Sequence, residues 1–127
     1  MIEESYVSFE TARMLKEAGF DVPCTSQYSE GIGIWNVDYP YNFNHDDFGY
    51  SRPTQALAAR WLREVHKIIL DIFFDPPLTD GNDWKYVIGE IDELVWSGDY
   101  VVSSSKYKTY EKAFEAGLQE AIKLIKK

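Results

Sequence analysis

The chain has 127 residues, 45% of them hydrophobic and 27% charged, with a formal net charge of −8. That length suits one domain around one core, and that composition excludes disorder. The negative balance speaks against non-specific attraction to nucleic acid or an anionic membrane, and the longest apolar run is far too short to span a bilayer.

The opening MIEESYVSFE has neither the basic nor the apolar stretch of a signal peptide, which makes a cytoplasmic location the expectation. The first predicted element is a helix over Phe9–Ala18, with Ser8 placed to cap its first amide groups and Ala12, Met14, Leu15 and Ala18 available to a core. Gly19 stops it, because glycine adopts the left-handed backbone of that position at no steric cost. Phe20 then follows, positioned to fold back on Leu15.

The stretch Asp21–Tyr50 has an unusual balance of residues. No Lys or Arg occurs between Lys16 and Arg52, whereas Asp21, Glu30, Asp38, Asp46 and Asp47 are acidic. Seven aromatics share it: Tyr28, Trp35, Tyr39, Tyr41, Phe43, Phe48 and Tyr50. Only Ile32–Val37 alternates enough to predict a short strand. Gly31, Gly33, Pro40, Asn42 and Asn44 predict turns elsewhere, and a long irregular segment in a small domain is often functional.

Ser51–Phe74 reads as an amphipathic helix running into an apolar strand. Pro53 suits a first helical turn, and Leu57, Ala58, Trp61, Leu62 and Val65 define a buried face, with Gln55, Arg60, Arg63, Glu64 and Lys67 opposite. From Ile68 the period becomes two, with apolar residues on both faces, the pattern of a central strand ended by Pro76–Pro77. Asp80, Gly81 and Asn82 mark a hairpin turn, and Trp84–Ile91 is the returning strand with Trp84, Tyr86 and Ile88 on one face. A third strand falls within Leu94–Ser105, on one side of Ser97–Gly98–Asp99 or spanning it. The last element is a helix capped by Thr109, from Tyr110 to about Ile125, with Phe114, Leu118, Ala121, Ile122 and Ile125 as its apolar stripe and Gly117 marking a close contact. The order α, irregular or short β, α, β, β, β, α is met by a single α+β domain over 1–127, a small antiparallel sheet of about three strands with helices packed on one face.

The segment PTQALAARWLREVHKIILDI, the Trp84–Ile88 pattern W-x-Y-x-I and the closing TYEKAFEAGLQEAIKLI are similar to small proteins recurrent in prophages and mobile elements of gut Bacteroidetes. The run Leu15–Asp21 followed by Pro23–Cys24 resembles the same family, and the likeness leaves out only the acidic aromatic middle. That family has no assigned activity; the resemblance implies a fold and a phage-like setting, and no site residues. The order from Pro53 onward also resembles a double-stranded-RNA-binding domain, with Lys106, Lys108 and Lys112 near the start of the last helix. Glu111 and Glu115 interrupt that cluster and the rest of the chain is acidic, which counts against nucleic acid as a partner.

Chemistry-bearing groups are few, and neither a catalytic constellation nor a cofactor motif is legible. The triplet His45-Asp46-Asp47 offers metal ligands, but consecutive residues rarely converge on one ion and solvated loop groups are the better reading. Cys24, the single cysteine, permits no intramolecular disulfide and suits a reducing compartment; no motif makes it a nucleophile. Asp71 among apolar residues is read as solvent-facing or paired, and Arg60, Arg63 and Lys67 as a solvated helix face. The best functional candidate is the acidic aromatic segment, with Tyr28, Trp35, Tyr39, Tyr41, Phe43 and Phe48 as an interaction surface, since such rings are favoured at interfaces. The other reading of the same rings is that they cover the second face of the sheet. The expectation is a non-enzymatic module with no cofactor and no metal, whose partner is another protein or a second copy. The alternative is an acidic inhibitor that presents carboxylates to a host DNA-binding protein in place of nucleic acid.

Overall fold

The computed structural model describes residues 3–30, 33–76, 81–91, 96–103 and 105–125, the side chains of 96–100 excepted. The backbone contacts group the chain into two compact units, Met1–Trp61 and Leu62–Lys126, each described by itself below. The class is α+β as expected, with three helices and two antiparallel three-stranded sheets among the described residues.

The first unit begins with helix α1, Phe9–Glu17. Its ends are those the sequence encodes. The Ser8 side chain accepts from the Thr11 amide, and beyond the Ala18 cap Gly19 takes φ of 94°. The Gly19 amide then donates to the Lys16 carbonyl and the Phe20 amide to the Leu15 carbonyl at 2.9 Å. This paired closure satisfies carbonyls that a helix end otherwise leaves open, and it delivers Phe20 into the core. Phe20 and Leu15 are both buried, and the Phe20 ring meets Trp61 edge-on at 5.2 Å.

The segment expected to be largely irregular is a sheet. It contains strands β1 (Cys24–Ser29), β2 (Gly33–Tyr41) and β3 (Gly49–Ser51), ordered β2-β1-β3, with a 3₁₀ turn at Phe43–His45. Its interior is partly polar, which is why hydrophobic periodicity does not reveal it. Ser26 and Ser51 are buried alongside Cys24 and Phe43. The Phe43 amide donates to Ser51 Oγ, Asn44 Oδ1 accepts from the Ser51 amide, and Asn44 Nδ2 donates to the Phe20 carbonyl. These side chains satisfy backbone groups that burial would otherwise leave unpaired. On the face opposite Ser51, Tyr28 and Tyr50 receive Phe9 of α1 edge-on, at 5.6 and 5.2 Å.

Helix α2 spans Gln55–Val65, and the boundary between the units falls inside it. Pro53 lies before the helix rather than in its first turn; it is buried and its carbonyl accepts from the Val7 amide. Thr54 Oγ1 accepts from the Leu57 amide in the capping role. The buried face holds Gln55, Ala58, Ala59, Trp61 and Leu62, whereas Val65, expected in the core, is 58% exposed. Gln55 is drawn inward where its amide donates to the Ser5 carbonyl, because the N-terminal segment runs beside the start of α2.

The second unit is a meander of β4 (Ile68–Phe74), β5 (Trp84–Ile91) and β6 (Trp96–Val102), covered on one face by α3 (Tyr110–Lys123). Lys67, with φ of 58°, makes the turn from α2 into β4. β4 is an edge strand, not the central one that its two apolar faces predicted. Ile72 and Leu70 lie opposite Tyr86 and Ile88 on the helix side, Ile69 and Phe73 point to the other, and all four are half-buried. Apolar residues on both faces therefore reflect partial covering of each face rather than two neighbouring strands. The Ser97–Gly98–Asp99 signal is a bulge inside β6, where four residues advance against two on β5. The predicted hairpin turn at 80–82 falls partly, and residues 94–95 wholly, outside the described residues. Gly117 sits where the helix meets the sheet: a Cβ there would stand 2.6 Å from Leu70 Cδ1 and 3.0 Å from Tyr86 Cβ.

Candidate interaction surface

The feature that sets the first unit apart is β2. It runs for nine residues, pairs only with β1 among the described strands, and every residue except Val37 is exposed. A strand of a folded protein ordinarily hides one face; β2 presents both, together with a free edge of backbone donors and acceptors.

The pairing is regular over four positions, Gly33, Ile34, Trp35 and Asn36 opposite Ser29, Tyr28, Gln27 and Ser26. It then breaks. From Asn36 to Tyr41 β2 advances five residues while β1 advances two, from Ser26 to Cys24. Val37–Pro40 therefore arches out of the ladder, and Pro40 has no amide hydrogen to offer there. The arch explains why Asp38 and Tyr39 both face water, with Tyr39 at 66% exposure.

The six aromatics singled out by sequence divide into two groups. Trp35 at 50%, Tyr39 and Phe48 at 72% are exposed, and Tyr41 is partly so. Tyr41 leans on Phe43 edge-on at 5.1 Å and its hydroxyl donates to Asp46 Oδ1 at 3.4 Å. Tyr28 and Phe43 are structural. Phe43 is 5% exposed, and the Tyr28 hydroxyl donates to the Val7 carbonyl at 2.5 Å beneath the Arg52 guanidinium. Ile34, 51% exposed, belongs with the exposed set; its place in an alternating run reads as core, and nothing in the sequence alone reveals that β2 lacks a cover.

The charges of the stretch from residue 17 to residue 51 are one-sided, with Asp38 the one carboxylate on β2 itself and Glu30 accepting from the Tyr50 hydroxyl of β3. Glu30, Asp38, Asp46 and Asp47 are exposed, and the Asp46 carboxylate beside Tyr41 holds that phenol above its ordinary range. The flanking cations are occupied within the unit. Lys16 Nζ donates to the Asp46 and Gly49 carbonyls at 2.6 and 2.8 Å and lies over the Tyr50 ring. Arg52 sits 4.0 Å over the Tyr6 ring and donates to Ser26 Oγ.

The other chemical candidates carry less. Burial pushes the Cys24 thiol up to about 11, which leaves almost no thiolate near neutrality. Among the described residues no three His, Cys, Asp or Glu side chains come together as metal ligands. Lys106, one of the three lysines near the start of α3, is held by Asp75: its Nζ donates to the Asp75 carbonyl at 2.9 Å and lies 3.4 Å from the carboxylate. Asp71 is exposed on β4, as its solvent-facing reading expects. An open cleft of about 260 Å³ in the second unit is rimmed by Val65, His66, Lys67, Glu90 and Leu124, with Lys67 Nζ turned to the Glu64 carbonyl. No helix among the described residues is long and apolar enough to cross a membrane. Comparison with protein-family models, with curated proteins and with solved structures finds no match in any of the three.

Proposed function

We propose that the chain is a non-enzymatic binding module that takes an extended segment of another polypeptide onto the free edge of β2. One observation carries this reading: a nine-residue strand that has a single neighbour among the described strands and exposes side chains on both faces. An added strand gains backbone hydrogen bonds along the edge, and Ile34, Trp35 and Tyr39 supply side-chain area beside them. Tyrosine and tryptophan suit that task, because they offer large contact area at little cost in rotamer freedom. The lone thiol suits a reducing cytoplasm, and the resemblance to small prophage proteins supports a phage-like setting for the module.

A photo-crosslinking side chain introduced at Tyr39, and separately at Glu111 on the outer side of α3, tests the reading in cells. Adducts with one discrete protein species at Tyr39 and none at Glu111 are expected. Equal labelling at both positions, or none at Tyr39, would overturn it.

A further inference from the structure

We infer that the occupant of the β2 edge is a short, cationic, extended segment of a different protein, in which Lys or Arg alternates with apolar residues, and not a second copy of this chain. The inference deepens the strand-addition reading above and rests on it.

Length is set by the pairing. Only Gly33–Asn36 keeps a regular ladder, and the arch that follows removes both the register and, at Pro40, an amide donor. An incoming strand therefore finds about four residues of continuous edge. Its period is set by the faces: Ile34 and Trp35 point to opposite sides of the sheet and both are exposed, so an added strand has neighbours on either side.

Charge selects the partner. The chain from residue 17 to residue 51 contains no Lys or Arg, and Glu30, Asp38, Asp46 and Asp47 are exposed along it. Lys16 and Arg52, which bracket this stretch, are engaged with carbonyls, rings and Ser26 of the same unit. A segment carrying Lys or Arg meets carboxylates and the faces of Trp35 and Tyr39, each of which attracts a cation. A second copy brings the opposite situation. Pairing β2 with β2 about a two-fold axis brings together two stretches that hold no Lys or Arg, each with Asp38 exposed beside the edge, in a chain whose net charge is already −8. Two surfaces of the same charge repel one another as they approach.

The experiment uses the full chain and four synthetic hexapeptides: alternating Lys-Val, alternating Glu-Val, hexalysine, and Lys-Val methylated at every backbone nitrogen. Affinities come from fluorescence anisotropy and amide protection from hydrogen exchange. The Lys-Val peptide is expected to bind at least ~10-fold more tightly than the other three, to slow exchange within residues 33–36, and to weaken several-fold between 0.05 and 0.5 M salt, as screening requires. Asp38→Asn is expected to lower its affinity ~3-fold, and Trp35→Ala at least ~10-fold. Equal binding of the Glu-Val peptide with the same protection would overturn the charge assignment and leave strand addition standing. Equal binding of hexalysine or of the methylated peptide, or no protection of β2 by any peptide, would overturn strand addition itself. A concentration-dependent dimer that protects β2 and excludes the Lys-Val peptide would show that a second copy is the occupant.

Discussion

The two three-stranded sheets use their apolar residues in opposite ways. In β4-β5-β6 one face is sealed by α3: Leu118, Ala121 and Ile122 of the helix are buried together with Tyr86 and Ile88 of the central strand. In β2-β1-β3 the buried positions include Ser26 and Ser51, while Ile34, Trp35 and Tyr39 stand in water on the outer strand. The first arrangement produces stability; the second leaves apolar area that folding does not use, and exposed rings on an open strand edge are what a partner strand can recognise.

Substitutions can break this contrast or sharpen it. The largest effect is expected for Leu118→Ala, which opens a cavity under the sealed sheet and should lower unfolding free energy by about 2–5 kcal/mol in denaturant titrations. A loss below about 1 kcal/mol would mean that the α3 face is loosely packed. Alkaline pH comes next. The buried Cys24 thiol stays neutral up to about 11 in the fold, whereas an exposed thiol ionises near 9.0. Below pH 9 the thiol is protonated in both states and its contribution is fully present. As pH rises from 9 to 11 only the unfolded state ionises, so the chain should lose roughly 2–3 kcal/mol relative to a Cys24→Ala variant compared at each pH. Native Cys24 should likewise resist alkylation until denaturant is added.

Gly117→Ala is expected to cost about 1–2 kcal/mol. Overpacking against Leu70 and Tyr86 outweighs the better helix propensity of alanine, and thermal melts would show the sign. The smallest stability effect belongs to the other sheet. Trp35→Ala should stay within about 0.5 kcal/mol of the parent while removing strand capture. A large destabilisation there would mean that the Trp35 ring serves the fold.

Much of this division was legible in the residues, though not all for the same reason. Both ends of α1 follow from Ser8 and Gly19, the α3 cap from Thr109, and the β4 and β5 bounds from period-two apolar runs, because each signal is local. The close approach at Gly117 was legible as a glycine where alanine would be a better helix former. The first sheet was hidden because its interior is held by Ser26, Ser51 and Asn44, residue types that otherwise indicate turns; only the hydrogen bonds they make in three dimensions show them as core. The same limit applies to the interaction surface. Trp35, Tyr39, Tyr41 and Phe48 could be picked out as an aromatic set, but composition does not distinguish exposed Phe48 from buried Phe43, five residues earlier, or identify Tyr28 as a ring that braces α1. Val65 shows a related limit, since helical periodicity fixes a face but not where its cover ends.

The arch at Val37–Pro40 has a consequence for solution behaviour. A long, flat, apolar strand edge is the template on which chains stack into fibrils, each added strand offering the next an equivalent edge. Here the arch, the proline and the Asp38 carboxylate end the usable edge after four residues. Aggregation needs a longer run than that, so β2 can stay open at cellular concentrations without seeding growth. Replacing Pro40 and shortening the arch is expected to lengthen the usable edge and promote fibril growth, and thioflavin fluorescence would report it.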